Sequence, residues 1–501
     1  FLMASRLAQV PVLVVMIGAT GLLMLVPSGQ GFVLQQAPVG RAFLYAALVL
    51  ILLSALLAIA TSRPLKRNRI GGLFPLLAAI YLVLPALMAV PLVEVLGISY
   101  FDAWFEMISS FTTTGATLID TPRQVPEPVH LWRAMAGWFG GLFVLVSATA
   151  LLAPLGLGGF ELLRPRAETV LAQADSGQNH GQRLKAHGRV ILPWYAGLTA
   201  ALWVGQVLLG VPGFRALIHA MSTLSTSGIL PRETLGGVGF LAEALLFLFL
   251  ILGLSRTLLP NPALRTRYRH IRPGPELMVA GFIVALVTAT VAARHWMGAF
   301  EVAEGENLPA LGRAVWGTAF TGLSFLTTTG FVSQDWIAIR LWSGLAPPGL
   351  VLMGLAIIGG GVATTAGGVK LLRVYALARM GRLELERMIY PAMVVGGGER
   401  ARFLVTGGAR AAWLFAMVFA LSVAVLVAVL MLLGMSFETG LIFTFAAITT
   451  TGPLVHVAGD LPLHWNLLSD PAMGVLALGM ILGRLEILAL LALLMAQIAR
   501  D

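Results

Sequence analysis

The chain has 501 residues, of which 58% are hydrophobic and only 11% charged, against about 25% charged in a soluble domain. No soluble fold of this size buries so much apolar surface, so the composition describes an integral membrane protein. The net charge of +10 raises nucleic acid as a partner, but the basic residues lie between apolar spans, which positive-inside topology explains better; cysteine is absent, which removes disulfides, thiol catalysis and Cys-based metal sites.

A spanning helix needs roughly 20 apolar residues. Residues 8–27 and 41–61 meet that length, and 1–70 reads as an N-terminal helix pair. A repeating unit follows. Residues 71–160 hold a long span at 72–95, a short apolar segment at 101–111, the turn Thr112-Thr113-Thr114-Gly115 and a long span at 131–155. Residues 161–262 repeat the order with 189–210, 214–224, Ser225-Thr226-Ser227-Gly228 and 237–260. Residues 263–390 supply 277–297, 315–326, Thr327-Thr328-Thr329-Gly330 and 348–376. Residues 391–501 supply 408–434, 437–448, Thr449-Thr450-Thr451-Gly452 and 472–498.

The four short segments are too short to cross and suit re-entrant helices, which are tolerated at membrane depth only where protein or a water-filled cavity surrounds them. The expected fold is therefore an all-α integral membrane protein. It has four pseudo-symmetric repeats of helix, re-entrant pore helix, filter turn and helix, plus the N-terminal pair. The turn glycines are 113, 102 and 122 residues apart. An aromatic residue stands 14 positions before the glycine in three repeats, as Phe101, Phe214 and Trp316, and Phe437 lies one place earlier in the fourth.

Charge sets the orientation. Segments 62–70, 161–189, 256–276 and 370–410, with Arg6 and Arg500, carry 24 of the 33 basic residues. They are expected in the cytoplasm together with both termini, which puts the four turns near the opposite face.

A single hydroxyl-rich turn inside a membrane is as readily a helix cap or an interhelical bond. Four in equivalent positions point to an ion pathway, because intramembrane polar groups are costly. Carbonyl and hydroxyl oxygens replace an ion's water, and glycine lets the backbone aim them. The C-terminal, partially negative end of each short helix points at its turn and favours a cation. Acidic residues recur five places after three of the glycines, as Asp120, Glu233 and Asp335. They read either as solvated loop charge or as an outer ring that concentrates cations.

Gly359, Gly360, Gly361, Gly367 and Gly368 flank a segment containing Thr364 and Thr365 inside the last span of the third repeat. Glycine costs about 1 kcal/mol against alanine in a helix interior, so a broken, movable segment is expected below the filter rather than a continuous helix. Its spacing is not that of a phosphate-binding loop. Arg484 lies in the final span, where an arginine is expensive and needs partners. Glu486 is two residues away and faces elsewhere. The eight histidines show no metal-ligand spacing; His456, four residues after Gly452, stands close enough to tune the mouth. No turn carries a base beside its hydroxyls, so an intramembrane enzyme is disfavoured.

The four turns, the ten long spans, GGGVATTAGGVK at 359–370 and ILGRLEIL at 481–488 together resemble the TrkH/TrkG/KtrB superfamily of potassium transporters, over essentially the whole chain. The N-terminal helix pair is similar to the TrkH branch. The resemblance implies K+ as the bound and transported ion, one pore per subunit and a homodimer in the bacterial inner membrane, surrounded by lipid. It implies that 359–368 is the gating loop and that Arg484 faces the pore beneath the filter and contacts that loop. It further implies a separate cytosolic ring of the TrkA type that binds NAD or ATP-class nucleotides and docks on the basic segments; no cofactor is expected in this chain and no nucleic acid. In plant relatives a serine at the first filter glycine accompanies sodium transport. All four positions are glycine here, so the resemblance favours K+, with a sodium-permeable pore of the same fold as the alternative. One glycine per turn also implies fewer ion sites and looser discrimination than in a TVGYG channel.

Overall fold

The computed structural model describes residues 10–61, 73–153, 180–254, 275–298, 307–336, 349–390, 408–459 and 461–485. Most of segments 161–189 and 256–276, residues 391–407 with Gly396-Gly397-Gly398, and the last span beyond Leu485 lie outside the described residues. Every regular element among the described residues is helical, and seven helices are long and apolar enough to cross a membrane.

The N-terminal pair is α1 (Val12–Val33) and α2 (Ala37–Ala60). Small residues let the two backbones approach: a Cβ on Gly31 would lie 2.8 Å from the Gly40 nitrogen. Ser54 and Ser28 donate across the pair to the carbonyls of Val14 and Gly40, each at 2.9 Å. Such contacts associate helices where lipid removes the usual hydrophobic drive.

The first repeat is α3 (Leu73–Leu96), α4 (Tyr100–Phe111) and α5 (Glu127–Ser147), the last prolonged by a π-helical turn to Leu152. The second is α6 (His180–Leu208), α7 (Gly213–Ser225) and α8 (Phe240–Leu250), continued by a 3-10 turn to Leu254. The third is α9 (Glu276–Gly298), α10 (Asn307–Leu326), α11 (Gly349–Ile358) and α12 (Leu371–Ile389). The fourth is α13 (Ala409–Leu432), α14 (Phe437–Ile448), the single turn α15 (Val455–Ala458) and α16 (Asp470–Leu485).

Helices α4, α7, α10 and α14 are the pore helices. Ser99 and Ser436 cap α4 and α14 by accepting the Asp102 and Thr439 amides at 3.1 and 3.3 Å, which satisfies otherwise orphaned donors. The third pore helix begins at Asn307 rather than at 315. Asn307 and Arg313 dilute its apolar pattern, so apolar-run counting starts too late. Phe111, at the end of α4, is packed by Tyr81, Phe139 and Phe143 at centroid distances of 5.4, 6.1 and 6.2 Å. Outward faces carry exposed Leu52, Leu208, Phe282 and Leu421, as a lipid-facing surface does.

Candidate ion-filter and gate

Each pore helix ends in the same way. The first hydroxyl of each turn folds back on the carbonyl four residues earlier. Thr112 bonds Ile108, Ser225 bonds Met221, Thr327 bonds Leu323 and Thr449 bonds Phe445, at 2.7, 2.8, 3.0 and 2.7 Å. That hydroxyl also pairs with the third one of its turn, at 2.8, 3.0, 3.1 and 3.1 Å. The third amide reaches back to the carbonyls of Ser109, Ser222, Ser324 and Ala446, at 2.8, 3.0, 2.9 and 2.8 Å. This is the long backward bond of a Schellman termination, and it requires the residue before it to be left-handed.

That residue is Thr113, Thr226, Thr328 or Thr450, with φ of 57°, 52°, 56° and 55°. A β-branched residue is a poor choice there, and left-handed non-glycine backbone costs about 1–3 kcal/mol. Sequence alone points to the glycines as the residues of unusual backbone freedom, whereas the structure places left-handed backbone at these threonines as well. Fourfold repetition of a costly geometry at one place identifies a constructed site.

The glycines pack the repeats against one another. A Cβ on Gly115 would lie 2.0 Å from the Ser227 carbonyl oxygen, and one on Gly228 2.3 Å from that of Thr329. Gly452 closes the circle by donating its amide to the Thr114 carbonyl at 2.6 Å. The turns that the sequence places hundreds of residues apart are thus consecutive around one axis. All sixteen residues of the four turns are buried.

The loop 359–370 separates α11 from α12 and sits against the turns. Its base is closed by Val369 and Lys370 amides donating to Ile357 and Ile358 carbonyls, at 2.9 and 2.8 Å. Thr365 donates to the Leu224 carbonyl at 3.1 Å, and the Gly367 amide donates to the Thr328 hydroxyl at 2.7 Å. A Cβ on Gly367 would lie 2.2 Å from the Thr449 carbonyl oxygen and 2.4 Å from the Thr450 hydroxyl. Gly359 and Gly368 are left-handed, at φ 73° and 77°. Thr364 bonds the Gly361 carbonyl at 2.8 Å, Gly361 donates to the Gly253 carbonyl at 3.0 Å, and a Cβ on Gly360 would lie 2.6 Å from that oxygen. The loop therefore meets the second, third and fourth repeats. At the first, the Arg484 guanidinium donates to the Thr113 hydroxyl, so loop and arginine together cover the left-handed threonines.

Three charged residues near these parts escaped the sequence reading as site residues. Glu276 is buried at the start of α9 and accepts the Val362 amide at 3.1 Å. Glu106 and Arg133 form a buried pair at 2.5 Å, and Glu106 also accepts the Leu118 amide at 2.9 Å, tying the chain above Gly115 to the first pore helix. The third repeat makes the same tie from the Ser333 amide to Thr321, at 3.2 Å. A carboxylate or guanidinium within an apolar span is the available signal for such residues.

Beyond the turns, away from the loop, Asp120 accepts from Asn466 and lies 3.6 Å from the His464 ring nitrogen. Glu233 faces Arg123 at 3.6 Å. Asp335 is half-buried, its amide donating to Ser333 at 3.4 Å. A cavity of about 380 Å³ opens beside Asp102, Glu106 and Asp120. His456 stands over His464 with ring centroids 5.6 Å apart. Burial, and next the His464 ring, push its pKa below the ordinary histidine value, against the opposing pull of the Leu463 carbonyl and Asp120.

A family model described as TrkH, cation transport protein, matches residues 40–230 and 277–499. The Trk system potassium uptake protein TrkH of Halomonas elongata is 28% identical over 397 residues, covering 78% of this chain and 78% of that protein. That of Salmonella typhimurium is 28% identical over 432 residues, covering 84% of each. The crystal structure of the potassium transporter TrkH from Vibrio parahaemolyticus matches with a TM-score of 0.78 at 24% identity, over 97% of this chain and 98% of that one. The two share a fold.

Proposed function

From the premise that the chain belongs to the TrkH family of cation transport proteins, we propose that it carries K+ into a bacterial cell across the inner membrane. The observation that carries the reading is the fourfold hydroxyl–glycine turn, with one hydrogen-bonding pattern in all four repeats and consecutive contacts around one axis. Relatives named as potassium uptake proteins support the choice of ion.

The ion loses water at the turns, where the negative ends of four helices and the backbone oxygens replace it. The loop 359–370 and Arg484 act as the gate beneath. In the position described, a glycine amide, a threonine hydroxyl and a guanidinium occupy the surface that a leaving ion crosses. The guanidinium adds an electrostatic barrier in a low-dielectric passage. Opening requires the loop to release Leu224 and Thr328. A cytosolic nucleotide-binding ring of the TrkA type, docked on the basic cytoplasmic segments, drives that release, and the transporter works as a homodimer with both termini in the cytoplasm.

Expression in a bacterium lacking its own K+ uptake systems tests the reading. Growth at limiting K+ is expected, and it should be lost when Gly228 is replaced by a bulky residue. No growth from a protein that reaches the membrane, or growth restored by Na+ supply alone, would overturn it.

A further inference from the structure

The fourth repeat departs from the other three at the outer end of its turn. Gly115, Gly228 and Gly330 are left-handed, with φ of 73°, 67° and 82°. Gly452 is not; it begins a 3-10 turn with Pro453 and Leu454. Its carbonyl oxygen accepts from the Trp465 indole nitrogen at 3.3 Å. Trp465 is only 1% exposed. Its ring lies 5.8 Å from that of Phe105 on α4 and 4.9 Å from that of Phe443 on α14. An indole wedged between two pore helices is behind the filter, so the Gly452 oxygen is drawn away from the axis around which the turns assemble.

The residue after it goes the other way. Positions where Gly228 and Gly330 would carry a Cβ are 2.8 and 2.9 Å from the Pro453 Cγ. Those glycines belong to the second and third repeats, so the proline ring from the fourth reaches across the outer end of the turns. The equivalent residues are Ala116, Ile229 and Phe331.

We propose that Trp465 is a specificity-determining positioning residue. By holding the Gly452 carbonyl it fixes Pro453 as one wall of the outer entrance, so the outermost level of the filter offers three equivalent backbone oxygens and a rigid apolar edge instead of four oxygens. A cation at that level keeps part of its water, and dehydration is completed deeper. A rigid edge discriminates by size where a missing oxygen cannot discriminate by coordination. The inference rests on the transport reading above and names a determinant of its selectivity.

Trp465→Phe keeps the aromatic contacts with Phe105 and Phe443 and removes the N–H. Pro453→Ala gives the fourth repeat the residue that the first already has. Full-length parent and variants are reconstituted in proteoliposomes, and Rb+ and Na+ uptake are measured in parallel. Trp465→Phe is expected to lower the Rb+/Na+ uptake ratio by about two- to tenfold, the factor supported by one lost hydrogen bond, and Pro453→Ala is expected to lower it in the same direction by removing the apolar edge. The double variant should do no more than the stronger single one, because both act on one element. A parental ratio in both variants, including an equal fall in both fluxes, would overturn the role of Trp465 while leaving transport intact. A parent that conducts neither ion would overturn the transport reading on which it rests.

Discussion

Gly367→Ala is the sharpest perturbation of the proposed gate. The added methyl would stand 2.2 Å from the Thr449 carbonyl oxygen and 2.4 Å from the Thr450 hydroxyl, far inside van der Waals contact. One side has to move. Each turn is held by three hydrogen bonds, whereas the loop is bonded to a turn through the Gly367 amide and to the pore-helix end at Leu224 through Thr365. The loop should therefore yield, losing the 2.7 Å bond to Thr328. Overpacking of this kind costs typically about 1–3 kcal/mol, which shifts a closed–open equilibrium by about 5- to 150-fold. Rb+ uptake into proteoliposomes without any cytosolic partner reads the shift as a rise in basal flux. Gly381→Ala on α12 is the control, since a Cβ there meets nothing within 4 Å, and alanine favours the helix. A well-folded Gly367→Ala protein with unchanged or reduced basal flux would refute the assignment of the loop as a gate.

Arg484→Ala should also raise basal Rb+ flux, and combined with Gly367→Ala it should give less than the product of the two effects, as the proposal that both belong to one gate requires. Gly115→Ser places a Cβ 2.0 Å from the Ser227 carbonyl oxygen at a φ of 73°, and is expected to lower K+ preference over Na+ in competition assays. Gly97→Ala, at φ 63° with open space around it, should leave selectivity alone. Removing one partner of the buried Glu106–Arg133 pair, as in Arg133→Met, should destabilise the protein by about 3–5 kcal/mol, read as an earlier thermal transition in detergent; adding Glu106→Gln should recover part of it. His456 titrates below the ordinary histidine value, so it is neutral at neutral pH and gains its charge only in acid. Uptake should fall as the external medium is made acidic and the ring gains its charge, and His456→Gln should flatten that fall.

The repeat architecture was legible because its signals are compositional. Long apolar runs, short ones and a hydroxyl–glycine turn recur in one order, and glycine density marked the break between α11 and α12. Geometry that runs against residue preference was not legible. Nothing in the propensity of threonine announces left-handed backbone at Thr113, Thr226, Thr328 and Thr450; it follows from the helix termination and the packing of four turns. Long-range pairings were equally hidden. Glu276 reads as the polar edge of a span until the loop folds against it, and Glu106 and Arg133 stand in different segments. The acids after the turns read either as solvated loop charge or as a concentrating ring, and sequence gives no sign that Glu233 faces Arg123 or that Asp120 is held by Asn466. Trp465 gives no signal in the sequence, because only the folded chain directs its indole donor at the Gly452 carbonyl.

The central claim is that these four turns conduct K+ in preference to Na+. Rb+ uptake into proteoliposomes containing the parent protein, measured against rising external K+ or Na+, tests it most directly. Uptake is expected to be displaced by K+ at concentrations where Na+ has little effect, and to be lost with a bulky residue at Gly228. Equal displacement by Na+ and K+, or Rb+ uptake that survives the Gly228 substitution, would contradict the account.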